Sequence, residues 1–166
     1  MHHQPGGAAY DVVLLLHVAC VLAGLATTLT AAATASRLRR LLGAGRPIPE
    51  ALHRYFQPGV NWAGRAMYGI PVFGFALLAM SDGAYALRDG WVLAGLALFV
   101  VAAVLCEAAL WPAERRLQAA VATLAAPQDP PTVSRTIAGD AVVMARSACV
   151  ALVLLLAGVV VMVAQP

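Results

Sequence analysis

The sequence predicts an all-α polytopic membrane protein, a bundle of four transmembrane helices. Three observations predict it. Only 11% of the 166 residues are charged, while 61% are hydrophobic. A water-soluble domain carries about 25% charged residues, so there is too little polar surface here to cover a globule in water. The mean hydropathy is +0.80, and the apolar residues gather into long runs, which is the pattern of membrane spans. No hydrophilic stretch is long enough for a second core, which predicts one domain over residues 1–166.

The first run, Val12 to Ser36, carries a single ionisable residue, His17. A helix over about residues 10–36 is predicted. At about 1.5 Å per residue it exceeds a hydrocarbon core of about 30 Å, so it must tilt or protrude. His17, Cys20, Gly24, Thr27 and Ala31 share one face of small and weakly polar groups, suited to other helices. Leu15, Leu22 and Leu29 share the face suited to lipid. The preceding MHHQPGGAAYD lacks the basic region of a signal peptide, so the run is read as a retained span.

Arg37, Arg39 and Arg40 follow, and Gly43 and Gly45 mark the helix stop. Residues 49–57 predict a short amphipathic helix lying on the membrane surface, with Leu52, Tyr55 and Phe56 on its apolar face. The second span is predicted over about 63–82, interrupted by Gly69, Pro71 and Gly74; proline in a membrane helix bends it. The third, about 91–111, is bracketed by Trp91 and Trp111 and followed by Pro112. The fourth is predicted over about 137–164, with Ser134 or Thr136 as N-cap and Asp140 in its first turns, where an acid is favoured. Cys20, Cys106 and Cys149 lie inside apolar runs and read as small buried residues rather than a disulfide or zinc framework.

All eleven basic residues besides histidine are arginines, and nine of them fall in or beside the loops between spans one and two and between spans three and four. Arg88, with Asp11, Asp82 and Asp89, marks the other side. The positive-inside rule then places the basic loops in the cytoplasm and both termini outside, in a bacterial inner membrane. The arginines follow topology and are not a nucleic-acid footprint.

An ionisable group inside a membrane is costly and is a functional candidate by default. Glu107 and Arg146 fall at similar depth near the cytoplasmic side, which predicts an interhelical pair with Arg65 or Asp140 nearby. That pair reads as structural, or as a proton or anion site. His17 falls toward the outer side, at a depth comparable to Met80, Ser81, Asp82 and Met162. Neutral imidazole is a good ligand for haem iron or copper, with methionine as a second ligand. His17 with Met80 or Met162 is therefore a candidate haem b or copper set. The alternatives are a hydrogen bond to a neighbour such as Asp82, or a proton relay. At the extreme N-terminus, Met1-His2-His3 offers an amine, backbone nitrogens and the His3 imidazole to Cu(II).

No P-loop, dinucleotide fingerprint, HExxH or GxSxG is present, which points away from an enzyme. Three classes remain: a binding, accessory or complex-forming membrane subunit in a homo-oligomer or larger assembly; a b-haem or copper redox protein; and a small proton-coupled transporter or channel.

The run Leu15-Leu16-His17-Val18, the glycine at Gly24, the basic loop and Gly69-Ile70-Pro71 resemble small bacterial four-helix proteins known only as predicted integral membrane proteins. They are distantly similar to CopD-like copper-resistance domains and to the four-helix bacterial protoporphyrinogen oxidase. In that oxidase a first-helix histidine is associated with haem. The resemblance implies the architecture and carries over one residue, His17.

Overall fold

The computed structural model describes residues 7–123 and 131–164. Helix is the regular structure throughout these residues, in five continuous helical stretches. The first is α1, Ala8–Gly43. The short α2, Glu50–Tyr55, follows. The third stretch joins α3 (Trp62–Arg65), a 3₁₀ turn (Ala66–Tyr68) and α4 (Gly69–Ala79). The fourth joins α5 (Gly90–Leu105), a π-helical segment (Cys106–Leu110) and α6 (Trp111–Thr123). The last is α7, Pro131–Ala164. Among the described residues three helices are long and apolar enough to cross a membrane: Ala8–Gly43, Gly90–Ala122 and Arg135–Ala164. The third stretch does not form one regular α-helix, because it is short and changes its winding before Pro71.

Each helix departs from its predicted bounds for a local reason. The first continues past Ser36 to Gly43, because Leu38 is fully buried and holds the added turns down. It stops when Gly45 adopts φ +60°, a left-handed value that glycine takes without strain. The N–H of Arg46 then reaches back to the Leu41 carbonyl at 3.0 Å, and that of Gly45 to Leu42 at 3.2 Å. In the third stretch Asn61 Oδ1 accepts from the Gly64 N–H at 3.0 Å and caps α3. Pro71 has no N–H for the Met67 carbonyl four residues earlier, and the backbone tightens into the 3₁₀ turn at that point. Helical winding does not end at Pro112. The π-helical turn precedes it and takes up the break in the hydrogen-bond ladder. Pro131 opens α7, so Thr136 lies inside the helix rather than capping it. Asp140 is then more than two turns in, beyond the reach of the helix N-terminus.

The chain groups into two compact units. Unit one comprises residues 1–27, 61–101 and 153–166. Within it α1 and α4 run antiparallel. The register is fixed by three contacts: a Cβ at Gly74 would lie 3.4 Å from His17, one at Gly69 would collide with Cys20 Sγ, and one at Gly24 would lie 3.4 Å from Met67. A turn closes the far end of α4. There the buried Ser81 hydroxyl donates to the Leu78 carbonyl at 2.8 Å and accepts the Tyr85 N–H at 3.3 Å. Asp82 and Gly83 reverse the chain with φ 49° and 81°, and Tyr85 packs edge-on against Trp91 at 5.5 Å.

Unit two comprises residues 28–60 and 102–152. Its core is built from Ala35 and Leu38 of α1, Leu52 and Phe56 from the α2 region, Leu117 and Val121 of α6, and Met144 and Ala148 of α7. The apolar face of α2 is therefore buried in protein, with Leu52 and Phe56 at 2% and 1% exposure. It is not free to lie on a membrane surface, as its amphipathic pattern predicts. Cys106 is buried, Cys20 partly so, and Cys149 is exposed, contrary to the reading of all three as core.

Candidate functional site

His17 projects from α1 against the start of α4. Its Nδ1 lies 2.9 Å from the Ile70 carbonyl oxygen. A carbonyl only accepts, so Nδ1 carries the proton and Nε2 presents the lone pair. No hydrogen-bond partner for Nε2 occurs among the described residues. Two glycines make this approach possible. Gly74 leaves room for the imidazole, and Gly69, one helical turn before Phe73, receives the Cys20 sulfur. The glycines that interrupt the predicted second span are thus what lets α1 and α4 come together.

The register corrects the expected neighbours of His17. His17 is level with Ile70 and Gly74, while Met80 lies six residues beyond Gly74, about 9 Å along the axis. Asp82 lies further still, exposed in the turn. The reason is the tight entry to α4 and its early end at Ala79. Met162 behaves differently. Leu155 of α7 meets Gly24, near where α1 leaves unit one and α7 enters it. The two helices are therefore antiparallel there, and seven residues along each brings Met162 to about the level of His17. Met162 packs against Gly95 of α5, where a Cβ would collide with its terminal methyl.

The polar residues of unit two form a second constellation that the sequence hides. Glu114 and Gln118, one turn apart on α6, are 6% and 8% exposed. Gln118 Nε2 donates to the Gly59 carbonyl at 3.4 Å. The Tyr55 hydroxyl is buried near Glu114 and Thr34 without a hydrogen bond of good geometry. Burial, reinforced by the Glu114 carboxylate, pushes the Tyr55 phenol up to about 12. The signal that could have found this group is the spacing Leu110, Ala113, Glu114, Leu117, Gln118, Val121, one buried helical face carrying two polar residues.

The predicted intramembrane pair is placed differently. Glu107 is exposed on the π-helical segment and Arg146 is exposed on α7, so the structure does not join them in a buried pair. Asp140 instead accepts from Arg116 Nε at 2.8 Å, linking α7 to α6. Arg65 ends α3, half-buried. His3 lies outside the described residues, as does most of the proline-rich stretch before Pro131. Among the described residues no group of three or more His, Cys, Asp or Glu side chains is arranged to hold a metal ion.

No family model, no curated protein and no solved structure matches this chain.

Proposed function

We propose that this chain is a four-span protein of a bacterial inner membrane, with basic loops in the cytoplasm and both termini outside, and that it works as a non-catalytic, complex-forming subunit. The Trp62–Ala79 stretch serves as the fourth span. The observation that carries the reading is how little of the apolar helix surface the chain covers for itself. In the most apolar window of each long helix, 11% of residues are buried for α1, 28% for α5–α6 and 22% for α7. What is left faces lipid or partner helices. Alanines such as Ala19, Ala26 and Ala33 stand exposed along α1, where small side chains let another backbone approach. The test is the size of the purified chain in mild detergent, by light scattering, together with cross-linking in native membranes. A homo-oligomer or a reproducible co-purifying membrane protein is the expected result. A strict monomer at every concentration, with no cross-linked product, would sink it.

A second reading has its own observation. The Nδ1–H bond to Ile70 fixes the ring and leaves Nε2 ready to coordinate. Metal-bound histidines commonly anchor their other nitrogen in this way. Met162 stands at the same level as the candidate second ligand. A haem b bound here gives a Soret band that disappears in His17→Ala. A colourless, copper-free preparation from replete cells excludes this reading and leaves the first intact.

A further inference from the structure

The cytoplasmic end of α1 carries more positive charge than its own chain neutralises. Arg37, Arg39 and Arg40 are all exposed on its last turns, held in place by the fully buried Leu38 between them. The reversal at Gly45 folds Arg46 back toward the same turns, its N–H bonded to Leu41. Four guanidiniums thus lie within ten residues, Arg37 and Arg40 one turn apart on the same side. None of the four has a carboxylate partner among the described residues. Two other arginines of unit two do: Arg54 pairs with Glu50 at 3.3 Å, and Arg116 with Asp140 at 2.8 Å. The helix C-terminus favours cations, yet that partial charge is shared among four mutually repelling groups. Guanidinium is built to take phosphate oxygens in pairs, and the cluster sits just past an apolar span, where headgroup phosphates are found.

We propose that Arg37, Arg39, Arg40 and Arg46 form a binding collar for anionic phospholipid headgroups of the leaflet on the basic side. The proposal rests on the membrane-spanning reading above. The collar holds a ring of acidic lipid around α1, and this lipid supplies the counter-charge that the chain omits. A cluster of four to eight basic residues beside a span attracts such lipids with about a fivefold gain for each charge near the surface.

The experiment uses the full chain, purified and reconstituted into phosphatidylcholine vesicles with trace spin-labelled phosphatidylglycerol or spin-labelled phosphatidylcholine. The fraction of each label immobilised by the protein is read by electron paramagnetic resonance. The collar predicts a preference of roughly fivefold or more for phosphatidylglycerol, weakened in about 1 M salt. The variant Arg37→Gln/Arg40→Gln/Arg46→Gln lowers it below about twofold. The matching triple lysine variant keeps it, which separates lost charge from a lost fold. Arg88→Gln, at the other side, leaves it unchanged. A wild-type preference under twofold, or one that survives the glutamine variant, overturns the proposal. So does loss of the preference in millimolar inorganic phosphate at constant ionic strength, which would mark a soluble-anion site instead. Release of the chain from membranes by alkaline carbonate would refute the membrane-spanning reading itself. A retained chain without lipid preference refutes the collar alone.

Discussion

Replacing Gly69 by alanine tests the contact that brings His17 to α4. A Cβ at this position would collide with Cys20 Sγ and lie 3.3 Å from Phe73 Cε2. Overpacking a close contact costs about 1–3 kcal/mol, while alanine is favoured over glycine inside a helix by about 1 kcal/mol. Gly69→Ala alone is therefore destabilising by up to about 2 kcal/mol. In a Cys20→Ala background the sulfur is gone and the nearest α1 atom is Cβ, at 3.4 Å. The same change there is neutral, or stabilising by up to about 1 kcal/mol. The double-mutant cycle thus yields a coupling of about 1–3 kcal/mol, measured by reversible unfolding in mixed micelles. Gly95→Ala is the control. Its obstacle is the free methyl end of Met162, which can swing away, so its cost is smaller. Additivity of Gly69→Ala and Cys20→Ala within about 0.5 kcal/mol would refute the close approach, and with it the register that places His17 at Ile70.

Three further outcomes follow from unit two. Phe56→Ala empties a side chain that is 1% exposed and costs about 3–5 kcal/mol, read as loss of the folded fraction; a loss under 1 kcal/mol would mean α2 is not docked. Tyr55 holds its proton more tightly when folded, to about 12 against 10.0. Stability is therefore unaffected below pH 10 and falls between pH 10 and 12, by roughly 3 kcal/mol at 1.36 kcal/mol per unit. Tyr55→Phe removes that part of the alkaline slope and, at neutral pH, is neutral or stabilising by up to about 1 kcal/mol, because it deletes a buried hydroxyl without a partner. Asp140→Asn and Arg116→Gln each cost about 0.2–1 kcal/mol and together cost little more than either, since one partner of the pair is half exposed. Full additivity would show that the pair contributes nothing.

Helix content and the three long apolar helices are legible because they rest on runs of many residues. Residues 10–36 of the first span read as helix from composition alone, and Gly69 and Pro71 mark where the second is broken. What the sequence does not disclose is pairwise. His17 has several possible partners at the right depth, and only the register with Gly69, Gly74 and Met67 selects the Ile70 carbonyl. The winding beyond Pro112 is hidden for a similar reason. A proline ordinarily ends a helix, and the π-helical turn that accommodates it has no composition of its own. Residues 113–136 read from sequence as a second polar loop, with the part up to 126 open to continuing as a surface helix. Either way Glu114 and Gln118 read as solvated, so their burial within unit two cannot be seen. The amphipathic face of α2 is correctly patterned, but a pattern does not say whether lipid or protein covers it.

The π-helical turn at Cys106–Leu110 also governs which genetic changes this chain can survive. In a regular α-helix one residue more or fewer rotates everything downstream by about 100°. A π-helical turn is a widened turn that absorbs one additional residue without that rotation. Deleting Ala108 or Ala109 can therefore restore an ordinary ladder and still leave Glu114, Leu117 and Gln118 facing their neighbours. A single deletion further along α6 has no widened turn to draw on and dephases the buried face. The exposed stretch 43–47 between α1 and α2 has no phase to keep. Length variants should accumulate there and, by one residue, within 106–110, while residues 113–121 should keep a constant count.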